Sequence, residues 1–290
     1  MVVADCDPCL PGDDLAAISL VAHQPGTALC TIINIDGSFS RRVGAQLAIA
    51  ADGRIAGSLT DGCLERELAS QARHLAASGP QVLRFGKGSP FIDFRLPCGS
   101  GLDILIDPRP DRAAAQAVLT QLDQRRAASM TLPGTDDRGA LERVYLPPLQ
   151  LSVFGRGPER DWLAHLAASA GLRCEVIGPE RGLNLGVAPS NATPDRWTAI
   201  VLLFHDHEWE APILDWALRS PACYIGAIGG EGSRKKRIEQ MRARGWSDAE
   251  LVRVRSPIGL IPRTRDAMTL ALSILAEVVG CYEELRQPLP

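Results

Sequence analysis

The sequence has no apolar run approaching the roughly 18 residues that a membrane-spanning helix requires, so no transmembrane segment is expected. It has no surplus of either charge. Thirty-one Lys and Arg stand against 34 Asp and Glu, for a net charge of -3. A general nucleic-acid binder would carry a basic excess. With 46% hydrophobic and 22% charged residues, the composition also excludes an intrinsically disordered chain. The segment from Met1 to Pro11 contains Asp5 and Asp7 and no basic residue, so it does not read as a secretory signal, and a cytoplasmic location is expected. The cysteines lack a complete metal-ligand set. They stand at 6, 9, 30, 63, 98, 174, 223 and 281, and only Cys6-Asp7-Pro8-Cys9 has metal-type spacing. No second such pair and no His pair follows, so a structural zinc site is not expected. In a reducing compartment these are thiols, and for most of them a small buried apolar side chain is the ordinary role.

What is present reads as two α/β domains, the usual division for 290 residues. In the first half, Asp13 to His23 reads as a helix and Ala28 to Ile35 as a β-branched strand. Ala45 to Ala51 and Arg54 to Leu59 flank Asp52-Gly53 as a hairpin. Leu64, Leu68, Ala72 and Leu75 recur at helical spacing, so a helix starts just after Cys63. Gln81 to Phe85, Phe91 to Leu96 and Leu102 to Ile106 read as strands. A helix from Arg112 to Ala127 and a looser stretch through Pro133-Gly134 to Pro147-Pro148 form a bridge. The second half alternates. Strands are expected at Leu149 to Phe154, Arg173 to Ile177, Thr198 to Phe204 and Cys223 to Ile228. Helices follow Gly157 to about Ala170, then at Glu208 to Arg219 and Ser233 to Arg244, and a last amphipathic helix takes Thr264 as its N-cap. The expected fold is α/β: a smaller mixed α/β domain at 1–110, a linking helix and bridge at 111–148, and a Rossmann-like doubly wound parallel-sheet domain at 149–290.

Five features could carry chemistry. Gly155-Arg156-Gly157 follows a strand, as a dinucleotide fingerprint does, where glycines let a pyrophosphate approach a helix N-terminus. The third glycine position is Arg160, and the second strand ends at Gly178-Pro179-Glu180. A Rossmann-like domain that keeps the turn and binds no dinucleotide is the competing reading. His205-Asp206-His207 directly follows an apolar strand, where α/β sheets bind ligands. Asp206 is equally suited to cap the next helix. Gly229 to Gly232 feeds Ser233-Arg234-Lys235-Lys236-Arg237, a backbone anion site with added cations or, alternatively, a solvated helix face. Cys63 follows Gly62 at a helix start, which stabilises a thiolate and suits a nucleophile or soft-metal ligand. Cys98 lies in a similar glycine-rich setting, Pro97-Cys98-Gly99-Ser100-Gly101. Finally, Arg41 and Arg42 sit in a loop bounded by Gly37 and Gly44, and arginine forks match phosphate and carboxylate.

Together these residues resemble the xanthine dehydrogenase accessory protein family, the XdhC/CoxI group. The first block of the resemblance is Gly37-Ser38-Phe39-Ser40-Arg41-Arg42-Val43-Gly44-Ala45, Asp52-Gly53 with Gly57-Ser58, Asp61-Gly62-Cys63-Leu64-Glu65, and Cys98-Gly99-Ser100-Gly101. The second is Gly155-Arg156-Gly157, Phe204-His205-Asp206-His207, Tyr224 to Gly229, Ser233-Arg234-Lys235-Lys236, Pro257-Ile258-Gly259-Leu260, and Ala271 to Glu277. The chain departs from the family pattern at Ser40, Asp61 and Ser100, in the inserted Gly230-Glu231-Gly232, at Gly178, and in Ile261-Pro262-Arg263, which marks a divergent branch.

The resemblance implies a molybdenum-cofactor chaperone, an accessory factor rather than an enzyme. Such a protein holds the molybdopterin cofactor, in mononucleotide or dinucleotide form, while a cysteine desulfurase supplies the terminal sulfur ligand. It then delivers the cofactor to the large subunit of a molybdenum hydroxylase. The cofactor-binding residues it implies are Cys63, Cys98, Arg41, Arg42, Gly62, Gly155, Gly157, His205, Asp206, Ser233, Arg234 and Lys235, with Cys63 and Cys98 on the metal side. A homodimer is compatible with this organisation. Two other functions compete: an NAD(P)-dependent oxidoreductase resting on Gly155 and Gly157, and a cofactor-free assembly scaffold.

Overall fold

The computed structural model describes residues 13–60, 63–89, 99–136, 138–189, 193–204 and 206–286. Among them the chain divides into two compact units, residues 13–147 and Pro148–Arg286. The expected strand at Phe91 to Leu96 and the pair Cys6 and Cys9 lie outside the described residues.

The first unit is built on a five-stranded antiparallel sheet. In chain order its elements are α1 (Asp13–His23), β1 (Ala28–Asp36), β2 (Gln46–Ile49), β3 (Ile55–Gly57), α2 (Cys63–His74), β4 (Gln81–Gly86), β5 (Gly101–Asp107), α3 (Arg112–Asp123), β6 (Ala128–Leu132) and β7 (Leu141–Tyr145). The sheet order is β3-β2-β1-β5-β4. β1 is apolar nearly throughout because both its faces are covered. Alternate side chains point to opposite faces of a strand. Ala28, Cys30 and Ile32 pack with Leu64 and Leu68 of α2. Leu29 and Ile33 pack with Ile18 and Val21 of α1 and Val118 and Leu122 of α3. Asp52-Gly53 turns the β2–β3 hairpin, with Leu47 opposite Gly57 and Ile49 opposite Ile55.

The stretch expected as a linking helix and bridge holds more structure than its sequence suggested. α3 ends at Asp123, and β6 and β7 form an antiparallel hairpin from Ala128↔Tyr145 to Leu132↔Leu141. Met130, Leu132 and Tyr145 join the same core as α1 and α3.

The second unit follows the expected Rossmann-like plan. Its elements are β8 (Gln150–Gly155), α4 (Pro158–Ser169), β9 (Arg173–Ile177), a single 3-10 turn (Pro179–Arg181), β10 (Thr198–Leu203), α5 (His207–Arg219), β11 (Tyr224–Ala227), α6 (Glu231–Ala243), α7 (Asp248–Leu251), β12 (Val254–Arg255) and α8 (Ala267–Glu283). The strands are parallel in the order β12-β11-β10-β8-β9, so the winding reverses between β8 and β10. That reversal is where open α/β sheets form a ligand crevice. Phe154, Ile200, Leu202 and Ile225 face a core shared with α5 and α6.

Two helix starts differ from expectation. α6 begins at Glu231, with Gly230 as N-cap, two residues before Ser233. α8 is capped by Asp266 rather than Thr264: the Asp266 carboxylate accepts the Thr269 N–H at 2.8 Å and its hydroxyl at 2.9 Å. A carboxylate placed three residues before the N–H it caps outcompetes a hydroxyl five residues before it. No described helix is long and apolar enough to cross a membrane.

Candidate functional site

An antiparallel sheet returns the chain to the same end after every second strand. The register puts Asp36 of β1 and Gly86 of β4 beside Gly101 of β5, and Gly57 of β3 beside Leu47 near the start of β2. The segments that follow Asp36, Gly57 and Gly86 therefore leave from one end of the sheet. They are tied to one another. Ser100 donates its hydroxyl to the Ser38 carbonyl. Gly37 has φ +92°, and a Cβ there would lie 3.3 Å from that Ser100 oxygen, so this crossing favours glycine. The Arg41 guanidinium donates to Ser58 Oγ at 3.0 Å, and Ser58 donates on to the Thr60 carbonyl at 2.9 Å.

Glu65 locks the next turn. It is 7% exposed and stands in the first turn of α2. Its Oε1 accepts the N–H groups of Leu59 at 3.2 Å and Thr60 at 2.6 Å, and its Oε2 accepts the Thr60 hydroxyl at 2.6 Å. A carboxylate at a helix N-terminus is favoured by the helix dipole as well as by these donors. The outcome is that Cys63 is the first residue of α2, two residues from a fixed carboxylate. A helix start is where a thiolate is stabilised.

Two residues that the sequence gave no reason to single out complete this end. Arg143 of β7 is buried and donates from Nε to the Gly44 carbonyl at 3.0 Å, with its guanidinium 4.9 Å from the centre of the Tyr145 ring. Tyr145 in turn donates to Gln46 Oε1 at 2.8 Å. The hairpin β6–β7 thus anchors the base of the Arg41-Arg42 loop. Glu65 had a signal, since it is the acid of Asp61-Gly62-Cys63-Leu64-Glu65. Arg143 and Tyr145 had none, because they lie in the stretch read as a bridge.

Burial pushes the Cys30 thiol up to about 12, with Asp107 adding to the rise, and pushes Cys174 up to about 11, with Glu175 adding there. Neither is a thiolate near neutral pH. Among the described residues no group of three or more His, Cys, Asp and Glu converges to hold a metal ion. Gly62, Cys98 and His205 lie outside the described residues.

In the second unit the tips of β8 and β10 lie side by side, with Leu203 opposite Gly155. A Cβ on Gly155 would come within 2.9 Å of the Leu203 backbone, so the close approach of the strands demands glycine there. Gly157, at φ +94°, is the N-cap of α4. The structure brings this turn beside the segment after β10: the Arg156 guanidinium sits 5.3 Å from the centre of the Trp209 ring, and Trp209 stacks on Phe204 at 5.2 Å. Asp206 is engaged as the N-cap of α5, accepting the Glu208 N–H at 2.9 Å.

Arg160, at the place of a third fingerprint glycine, folds back over the turn. It donates to the Gly155 carbonyl at 3.2 Å and pairs with Asp161 and with Glu180. Glu180 is held below the usual carboxylate range by its own backbone N–H and then by Arg160. This ion pair bridges the tips of β8 and β9, where a dinucleotide's ribose would need a vacant acid.

Ser233, Arg234 and Lys235 fall in the first turns of α6, beyond β11. Arg234 forms a 3.8 Å pair with Glu231. The last cation of that run departs from the solvated-face reading. Arg237 is 3% exposed and pairs in fork geometry with Glu210, itself 2% exposed, at 3.0 and 2.8 Å. It also donates to the Ile228 carbonyl and to Ser256 Oγ, both at 2.7 Å. Arg237 therefore joins α5, α6 and the ends of β11 and β12, and is spent on structure.

The remaining motif residues interlock. Glu277 accepts the Tyr224 hydroxyl at 2.7 Å and the Gly259 N–H at 2.6 Å. Burial and then Glu277 raise the Tyr224 phenol well above its ordinary value, so it stays a donor. Gly226 has no room for a Cβ, which would fall 2.5 Å from the Tyr224 ring.

Known proteins share this sequence pattern and fold. Residues 151–278 match the family model described as the XdhC Rossmann domain, and residues 20–86 match the XdhC and CoxI family. The chain is 33% identical to the molybdenum cofactor insertion chaperone PaoD of Escherichia coli (strain K12), over 94% of this chain and 90% of that protein. It is 24% identical to the E. coli protein YqeB over 87% of this chain, which spans 43% of YqeB. Its fold matches a Bacillus halodurans crystal structure described as a xanthine dehydrogenase, with a TM-score of 0.72 and 18% identity over 94% of this chain and 97% of that one. The chain belongs to the XdhC and CoxI family.

Proposed function

We propose that this chain is a molybdenum-cofactor chaperone, which binds the cofactor, shields it while its terminal sulfur ligand is installed, and inserts it into a molybdenum hydroxylase of the xanthine dehydrogenase type. The observation that carries the reading is the set of loops fixed around the start of α2. Arg41, Ser58, Thr60 and Glu65 form one hydrogen-bonded chain beside the start of α2, whose first residue is Cys63. The relative PaoD, named as a molybdenum cofactor insertion chaperone, supports it at 33% identity.

The residues present suit this cargo. A thiolate is a soft ligand, fitted to molybdenum or to sulfur in transit. Cys63 is the principal metal-side contact in this reading, and Cys98 its partner. Arg41 and Arg42 suit the cofactor's phosphate through guanidinium forks. The first turn of α6, with Ser233, Arg234 and Lys235, and the glycine turn Gly155 to Gly157 offer further backbone donors for a phosphate. Gly62, His205 and Asp206 complete the proposed set. A cysteine desulfurase as sulfur donor, a molybdenum hydroxylase large subunit as client, a cytoplasmic location and a homodimer belong to the same proposal.

The test is to express the protein with molybdate, release and oxidise the bound pterin, and identify it by chromatography. The proposal expects a fluorescent pterin in proportion to protein, and the chromatographic position distinguishes the mononucleotide from the dinucleotide form. Protein that carries no pterin, yet copurifies with an apo molybdenum enzyme, would mean a scaffold instead. The Arg160–Glu180 bridge speaks against NAD(P), and calorimetry with NAD(P)H is expected to show no binding.

A further inference from the structure

Beyond the carboxyl ends of β11 and β12 the second unit carries an open cleft of about 690 Å³. Its floor is Ile228, Gly229 and Gly230, where β11 runs into α6, and its wall is the loop 257–266. Leu270 of α8 and Glu159 of α4 close the sides. Small-molecule pockets run to roughly 300–1,000 Å³, and open α/β sheets place ligands beyond the carboxyl ends of their strands.

The wall is preformed. At one end Arg237, fixed by Glu210, holds Ser256. In the middle Glu277 accepts the Gly259 N–H, and Ser273 Oγ accepts the Ile261 N–H at 2.7 Å. At the other end Asp266 caps α8. Gly259 has φ +97°, and a Cβ there would lie 2.5 Å from Ser273 Oγ, so the loop passes tightly against α8. Ligand sites that are already ordered lose less conformational entropy on binding.

Several features of this wall do nothing for the fold. Arg263 adopts φ +59°, a left-handed conformation uncommon outside Gly, Asn and Asp. Neither Arg263 nor Arg265 has an ion pair or hydrogen bond with a described residue. Leu260 and Ile261 are 64% and 45% exposed at the rim. The N-cap Gly230 provides no side-chain acceptor for the first turn of α6, so N–H groups at the floor are left to other partners. The acids in the lining are Glu159 and Asp266, and Asp266 is engaged with Thr269.

We infer that this cleft binds a small organic anion, with an apolar body between Ile258, Leu260, Ile261 and Leu270 and an acidic group paired with Arg263 and Arg265. The cleft volume bounds the size, the apolar wall sets the body, and the two unpaired guanidiniums set the charge. The inference concerns the second unit alone and does not depend on Cys63, although the cleft floor borders the α6 start that the cofactor reading offers to a phosphate.

The test uses the full chain and two probes of matching shape. Anilinonaphthalene sulfonate is an apolar aromatic anion, and N-phenyl-naphthylamine is its uncharged counterpart. Calorimetry is expected to show saturable single-site binding of the sulfonate, about tenfold tighter than of the amine. The exposed double variant Arg263→Gln/Arg265→Gln is expected to keep the wild-type melting temperature and erase that difference. Leu270→Trp, which fills the cleft, is expected to abolish binding of both probes. Absence of saturable binding by the wild type would overturn the inference. So would sulfonate binding that the double variant leaves unchanged, because the dye would then sit on an apolar surface elsewhere.

Discussion

In the first unit three segments leave one end of an antiparallel sheet, and the groups there hold one another in a chain of hydrogen bonds ending at Glu65. In the second unit a parallel sheet sends every carboxyl end the same way, and the motif residues there are largely locks: Gly155 for strand approach, Tyr224 and Glu277 for the 257–266 loop, Arg237 with Glu210 for the helices. The difference separates two reasons a motif exists. Around the start of α2 the motif holds its own loops together, and the proposed function puts Cys63 to work there. Around Arg237 it arranges a frame, and the groups left over for ligands are those the frame does not use.

The sharpest contrast is among the thiols. With Cys30 pushed up to about 12, its thiolate fraction near pH 8 falls about a thousandfold below that of an ordinary thiol. Mass spectrometry after iodoacetamide treatment of folded protein is expected to find Cys63 alkylated and Cys30 spared. Equal rates would remove the distinction between a reactive and a packed cysteine within one unit.

Stability comes next. Arg237→Ala removes the fork partner of the buried Glu210 carboxylate and is expected to cost about 3–5 kcal/mol. All five tryptophans, at 162, 197, 209, 216 and 246, lie in the second unit, so tryptophan fluorescence during urea unfolding reads this loss directly. Glu65→Ala leaves the Leu59 and Thr60 donors unmatched and is expected to cost about 1–3 kcal/mol. Far-UV circular dichroism should register that loss while the tryptophan transition stays in place. If Glu65→Ala also moved the tryptophan transition, the units would not be separable in this way.

How much of this was legible in the sequence depends on what kind of signal each residue leaves. β1, the Asp52-Gly53 hairpin and the strand Thr198–Leu203 announced themselves through apolar runs and turn chemistry, which are local. The hairpin β6–β7 did not. Its strands are five residues each, carry Ser129, Thr131, Glu142 and Arg143, and are separated by Pro133-Gly134, which reads as a loop. Arg237 was masked by its neighbours, since a run of cations looks like a solvated face until Glu210 is known to lie opposite. Charge pairing across 27 residues leaves no local pattern. The helix start at Cys63 was legible because Leu64, Leu68, Ala72 and Leu75 recur at helical spacing, whereas Glu65 stood in the motif Asp61-Gly62-Cys63-Leu64-Glu65 without being singled out.

The smallest expected effect is at the start of α8. The Thr269 N–H and hydroxyl hold the Asp266 carboxyl below its usual range. A lowered folded value means that the cap stabilises above the ordinary carboxylate range and fails as pH falls through the folded value. The hydrogen-exchange protection factor at the first turn of α8, relative to the intrinsic rate at each pH, is expected to fall on acidification, and Asp266→Asn should flatten that dependence.

The most direct measurement of the central claim is the pterin content of Cys63→Ala, expressed with molybdate beside the wild type and compared at equal melting temperature. The account predicts that the variant folds normally and loses most of its bound pterin. Retention at the wild-type level would contradict it.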